Sequence, residues 1–196
     1  MLWIATRYVP GGDVRTLVHR ERPLPPTRAA AIFSPVASAL DAAHAAGQVY
    51  RDVKPANMLL DTRQGRPDHV YLFDFGLSKG WQGTGGLTGS GLFLGTLDYA
   101  APEQIQGLAV DGRADQYALA CAAYELLAGE PPFSRDQGLA VLYAQLSAPP
   151  PSLTQRLRSL APAVDVVLTR GLAKSADQRY GSCGDFVHEL RLALRR

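Results

Sequence analysis

From Tyr117 to Ala128 the chain runs through twelve residues whose single charge is Glu125, and from about Arg113 onward apolar residues fall on every side of a helical projection. A helix without a polar face has nothing to offer water, so it must lie at the centre of a domain with other elements packed around it. At 196 residues the chain is long enough to build that core as one domain. Gly129 ends the run and Pro131-Pro132-Phe133 turns the chain away. The same segment is far short of the ~20 apolar residues that span a bilayer. The apolar start Leu2-Trp3-Ile4-Ala5 is shorter still, being cut by Arg7, so neither a membrane span nor a signal peptide is read here.

The flanking pattern predicts a mainly α fold with a few short β-strands. Residues 2–9 read as a strand ended by Pro10-Gly11-Gly12, with unpaired backbone at an edge. Asp13 is suited to cap a short helix to about Arg20, and Pro23, Pro25 and Pro26 form a stiff linker. Thr27 to Ala46 reads as a long alanine-rich helix, with a kink or unusual start expected at Pro35. Two short strands are expected to flank the segment 50–57, with 63–67 as a turn. Further helices are expected near 137–147, 162–173 and 182–194, the first two separated by Pro149-Pro150-Pro151. Seven glycines between 80 and 95 leave that stretch without packing material, so it reads as a mobile loop.

With a net charge of +2 and basic residues scattered without aromatic interleaving, the chain gives no sign of a nucleic-acid surface. Cys121 and Cys183 are too few for a disulfide framework and lack metal-ligand spacing, which favours a reducing, cytoplasmic compartment. Cys121 reads as an inert core residue. His19, His44, His69 and His188 are dispersed and read as surface or packing residues.

Three short motifs stand in order between Tyr50 and Glu103: Tyr50-Arg51-Asp52-Val53-Lys54-Pro55-Ala56-Asn57, then Asp74-Phe75-Gly76, then Ala101-Pro102-Glu103. An Asp-Phe-Gly tripeptide alone carries little weight, because loops often contain one. Placed 22 residues after Asp52 and directly after the apolar Val70-Tyr71-Leu72-Phe73, it carries much more. A proton acceptor, an amide and a second carboxylate converging on one phosphate are what phosphoryl transfer requires.

Together the motifs resemble the signature of protein kinases, most closely the bacterial serine/threonine kinases of eukaryotic type. The resemblance implies a kinase C-lobe lacking most of the N-terminal β lobe: residues 1–12 as the last strand and hinge of that lobe, and 13–196 as the C-lobe. It implies ATP and Mg²⁺ as cofactors and proteins with serine or threonine acceptors as partners. Asp52 would accept the proton of the substrate hydroxyl, and Lys54 would neutralise charge on the moving phosphate. Asn57 and Asp74 would hold Mg²⁺ through oxygen. Tyr50 stands where histidine is usual and would pack against Phe75 and the central helix. Arg51 marks the subclass in which this arginine clamps an activation-loop phosphate.

By the same resemblance Thr6 would be the gatekeeper, and the backbone of Arg7 and Val9 would meet adenine. Asp13 is placed toward the ribose, and Met58 and Leu59 would floor the base, though plain core residues are an equal reading of that pair. Gly95 to Glu103 looks like the substrate-docking segment, with Thr96 bridging Asp52 and Lys54. Glu103 would pair with Arg179, against the alternative of a surface pair or no pair, and Asp115 would receive backbone N–H groups of the catalytic loop, against that of a simple helix N-terminal charge. Thr88 and Ser90, with Thr84 behind them, would be autophosphorylation sites, unless they are merely small polar loop residues.

No glycine-rich phosphate loop and no Val-Ala-Ile-Lys strand occurs in the 196 residues. Residues 1–196 alone are therefore expected to transfer phosphate weakly or not at all. The alternative is a truncated kinase or pseudokinase that binds partners. A small-molecule kinase of related fold is disfavoured by the docking segment. Any membrane anchor of a longer parent would lie outside this sequence.

Overall fold

The computed structural model describes residues 8–21, 23–62, 68–73 and 97–195. The expectations for Thr6, Arg7, Asp74, Phe75, Gly76, Thr84, Thr88, Ser90, Thr96, the turn at 63–67 and most of the strand at 2–9 lie outside these residues. In chain order the helices are α1 (Val14–Arg20), α2 (Pro26–Ala45), α3 (Pro102–Ile105), α4 (Gly112–Ala128), α5 (Gly138–Ser147), α6 (Leu153–Arg156), α7 (Ala163–Gly171) and α8 (Cys183–Ala193). A 3₁₀ turn at Pro55–Asn57 leads into β1 (Met58–Asp61), which pairs antiparallel with β2 (His69–Leu72); a second 3₁₀ turn covers Ala176–Gln178.

The all-apolar segment is α4, and every residue from Ala114 to Leu127 is buried. Asp111 caps its start by accepting from Arg113 N, and Gly129 ends it at φ 84°, a left-handed conformation that costs glycine nothing. α2, α6, α7 and α8 pack round it. Phe33, Tyr117, Tyr124, Phe133 and Phe186 are fully enclosed, each contributing about 1.5–3 kcal/mol by leaving water. Cys121 is buried among them as a free thiol, as its apolar context suggested, and Cys183 is equally enclosed.

α2 starts at Pro26, where a missing N–H is harmless, and runs unbroken through Pro35. The start lies one residue before the expected Thr27, and the helix does not begin at Pro35, which sits inside it. Asp41 of α2 accepts from the backbone N–H groups of Cys183 and Gly184 at 2.9 Å each, tying α2 to the first turn of α8. Among the described residues the strands differ from expectation: both follow the 50–57 segment as one antiparallel pair, with none described before it. In the segment before the loop, Gln48 N donates to Ala43 O at the end of α2 and Tyr50 N donates to Asp115 of α4. Tyr8 and Val9 are outside any strand.

Candidate active site

The segment 50–57 is held from beneath by one buried carboxylate. Asp115, 1% exposed in the first turn of α4, accepts from Tyr50 N at 2.8 Å and from Arg51 N at 2.6 Å. Arg51 sits at φ 69°, the one non-glycine residue with positive φ among those described. That conformation costs an L-residue roughly 1–2 kcal/mol, and the two charge-assisted hydrogen bonds to Asp115 are what sustain it. His44, from the last turn of α2, places Nε2 2.7 Å from Asp115 Oδ2. The hydrogen bond to Asp115 raises its pKa above the ordinary imidazole value despite opposing burial. His44 thus does more than pack. Its position six residues before Tyr50, at the end of the helix that delivers the loop, is the sequence signal for this role.

Above that anchor, three of the candidate side chains meet. Lys54 Nζ lies 2.8 Å from each carboxylate oxygen of Asp52. Asn57 Nδ2 donates to Asp52 Oδ2 at 2.8 Å and to Asp52 O at 2.9 Å. The 3₁₀ turn makes this possible: Pro55 opens it, and Asn57 N closes it onto Lys54 O at 2.9 Å. Asp52 remains 24% exposed, enough for a hydroxyl to reach it. Because the Asn57 nitrogen is spent on Asp52, its carbonyl oxygen is the atom left for a ligand. An uncharged oxygen donor beside a carboxylate suits a hard cation such as Mg²⁺.

The end of β2 is stitched to the same loop. Phe73 N donates to Asn57 O at 2.9 Å, and the Tyr50 hydroxyl donates to Phe73 O. Tyr50 is buried beneath, and Phe75, against which its ring was expected to pack, lies outside the described residues. On the opposite side Gln104 accepts from Ala101 N at 3.0 Å and donates to Arg51 O at 3.2 Å, joining the 101–103 segment to the loop. Glu103 and Arg179 form a two-pronged pair at 2.6 and 2.7 Å, with the Arg179 side chain fully buried. Its remaining N–H groups go to the carbonyls of Ala173, Arg113 and Lys174. Removing either partner would strand a buried charge at a cost of about 3–5 kcal/mol.

The protein kinase domain model matches residues 1–189. The chain belongs to the protein kinase family. It is 42% identical over 195 residues to the serine/threonine-protein kinase PknJ of Mycobacterium tuberculosis, covering 98% of this chain and 33% of that one. It is also 42% identical over 191 residues to PknF of the same species, covering 96% and 40%, and 40% identical over 193 residues to PknE, covering 98% and 33%. This kinase chain spans about a third of the length of the curated relatives it matches.

The adenine-side expectations divide. Alternation along β1 sends Met58 fully into the core and leaves Leu59 part-exposed on the other face, while the Leu59 backbone forms an isolated antiparallel bridge with Asp13. Asp13 caps α1, accepting from Thr16 N at 2.8 Å and Thr16 Oγ1 at 2.9 Å. Val9 lies part-buried at the entry to the Pro10–Gly12 turn. Among the described residues one cluster has metal-ligand character, Asp41 with His44 and Cys183, and it lies behind the loop. Its groups are already committed: Asp41 to the α8 N–H groups, His44 to Asp115, and Cys183 held as a neutral thiol by burial. Of the described helices none is long and apolar enough to cross a membrane.

Proposed function

We propose that this chain carries the C-lobe machinery of an ATP-dependent serine/threonine protein kinase, with residues 1–12 as strand and hinge and 13–196 as the lobe. The observation that supports this most is the Asp52 carboxylate, gripped by Lys54 and Asn57 on a backbone anchored through Asp115. In the proposed reaction a serine or threonine hydroxyl attacks the γ-phosphorus of ATP. The bond to the β,γ-bridging oxygen breaks, ADP leaves, and Asp52 takes the hydroxyl proton. Lys54 turns from Asp52 toward the phosphoryl oxygens when these arrive, since a donor-only ammonium follows the larger negative charge.

Mg²⁺, when bound, offsets charge on the phosphates; Asn57 and Asp74 are the proposed oxygen ligands. Thr6 is the proposed gatekeeper, the backbone of Arg7 and Val9 meets adenine, and Leu59 floors it with Met58 supporting from the core. Asp13 receives a ribose hydroxyl on the carboxylate that already caps α1. Thr96 bridges Asp52 and Lys54, and phosphate on Thr88 or Ser90 pairs with Arg51 to order the docking segment. Without a glycine-rich loop and its lysine, residues 1–196 alone should be nearly inactive.

The test is radiolabel transfer from ATP to a generic basic protein by the intact protein that carries these residues, followed by phosphoamino-acid analysis. Label on serine and threonine is the expected result. Absence of transfer would favour a binding module, and label confined to tyrosine would refute the acceptor class.

A further inference from the structure

Gln145, on α5, is fully buried, and its side-chain amide faces the docking segment from below. Nε2 donates to Leu97 O at 3.0 Å and to Asp98 O at 2.7 Å, so both amide hydrogens are used on two successive carbonyls. Oε1 accepts from the Tyr117 hydroxyl at 2.6 Å. The Tyr117 oxygen in turn accepts from Lys174 Nζ at 3.3 Å, and Lys174 also donates to Ala144 O at 3.1 Å.

The direction of this relay is fixed by its first member. An ammonium has donors and no acceptor, so Tyr117 must accept from Lys174 and send its own hydrogen to Gln145. That leaves Gln145 Oε1 facing Tyr117 and Nε2 facing the segment. Lys174 lies over the Phe133 ring at 4.0 Å, and burial lowers its pKa to about 8, still protonated at neutral pH. Tyr117 is enclosed, and burial holds its hydroxyl neutral. A flipped amide would set oxygen against two carbonyls.

The neighbouring anchor has a different character. Tyr99 donates to Glu125 at 2.5 Å, which fixes a side chain. Gln145 instead fixes the backbone at Leu97 and Asp98, where the carbonyl directions set the shape of the surface offered to a peptide.

We propose that Gln145, directed by Tyr117 and Lys174, is a positioning residue for peptide-substrate docking that acts by orienting the Leu97 and Asp98 carbonyls. The proposal rests on the protein-kinase reading. The hydrogen bonds of Gln145 go to Leu97, Asp98 and Tyr117, none of them assigned to the nucleotide, so its effect should fall on the peptide and not on ATP.

The experiment compares the intact protein with Gln145→Glu and Tyr117→Phe, measuring KM for a serine/threonine peptide, KM for ATP, kcat and the melting temperature. Gln145→Glu replaces two amide N–H donors with at most one carboxyl O–H at almost unchanged shape, and peptide KM should rise about tenfold while ATP KM stays within about twofold. Tyr117→Phe keeps the amide and removes only its director, so the same split should appear in weaker form. If Gln145→Glu does not fold, Tyr117→Phe carries the test. Equal movement of the two KM values, or a lower melting temperature with unchanged kinetics in a folded variant, would overturn the positioning role. If the unsubstituted protein phosphorylates no peptide, the kinase reading itself fails and takes this inference with it. Activity with unsplit KM values defeats the inference alone.

Discussion

Asp115 concentrates three demands on one carboxylate: two backbone N–H groups of the 50–57 loop and the imidazole of His44. A histidine whose folded pKa lies above its unfolded value adds stability that is complete below the ordinary imidazole pKa. That stability is lost as pH rises through the raised value. Asp41 and Asp111 act on His44 in the same direction as Asp115. Urea unfolding between pH 6 and 8 should therefore show the unsubstituted protein losing more stability with rising pH than His44→Gln does. Parallel profiles would show that His44 contributes no charge to the anchor. The family motif marked Asp115 in the sequence because it opens an apolar helix after an arginine. His44 escaped because four dispersed histidines offer no pair, and its partner stands 71 residues away.

The Pro10–Gly12 turn and β1 are joined by a contact that only glycine allows. Gly11 N donates to Leu60 O at 2.9 Å, and Leu60 N returns a bond to Gly12 O at 2.8 Å. A Cβ on Gly11 would stand 2.2 Å from Leu60 O, so Gly11→Ala must push the turn off the strand. We expect it to cost about 1–3 kcal/mol and to speed amide exchange at Leu60. Gly47, at φ 74° with open space around its Cβ position, is the control: Gly47→Ala should cost only about 1 kcal/mol of backbone strain and leave Leu60 exchange unchanged. Unchanged exchange at Leu60 in Gly11→Ala would contradict the contact. The sequence showed Pro10-Gly11-Gly12 as a turn but not what the turn leans on. The same limit applies to the strands, where short apolar runs do not reveal which will pair. The four-residue helices α3 and α6 are too brief to display a period at all.

Across the whole molecule, α4 serves as both core and foundation. Its buried length organises α2, α6, α7 and α8, and its first turn carries the carboxylate that fixes the loop. The long helices were legible because their periods and stops are written locally. The candidate loop was legible because Asp52, Lys54 and Asn57 lie within six residues of one another. Gln145 was not, since an isolated glutamine on an amphipathic helix gives no sign that it meets Leu97 and Asp98 more than 45 positions away. What the site most needs is a reactivity measurement with folding held constant. MgATP-dependent transfer to a serine/threonine peptide should be compared between the intact protein and Asp52→Asn, with nucleotide affinity and melting temperature measured on both. The substitution keeps the shape and removes the proton acceptor, so we expect transfer to fall by about a hundredfold to ten-thousandfold with nucleotide affinity and melting temperature nearly unchanged. Transfer by Asp52→Asn within about tenfold of the unsubstituted rate, well short of the loss a general base accounts for, would contradict the role assigned to Asp52.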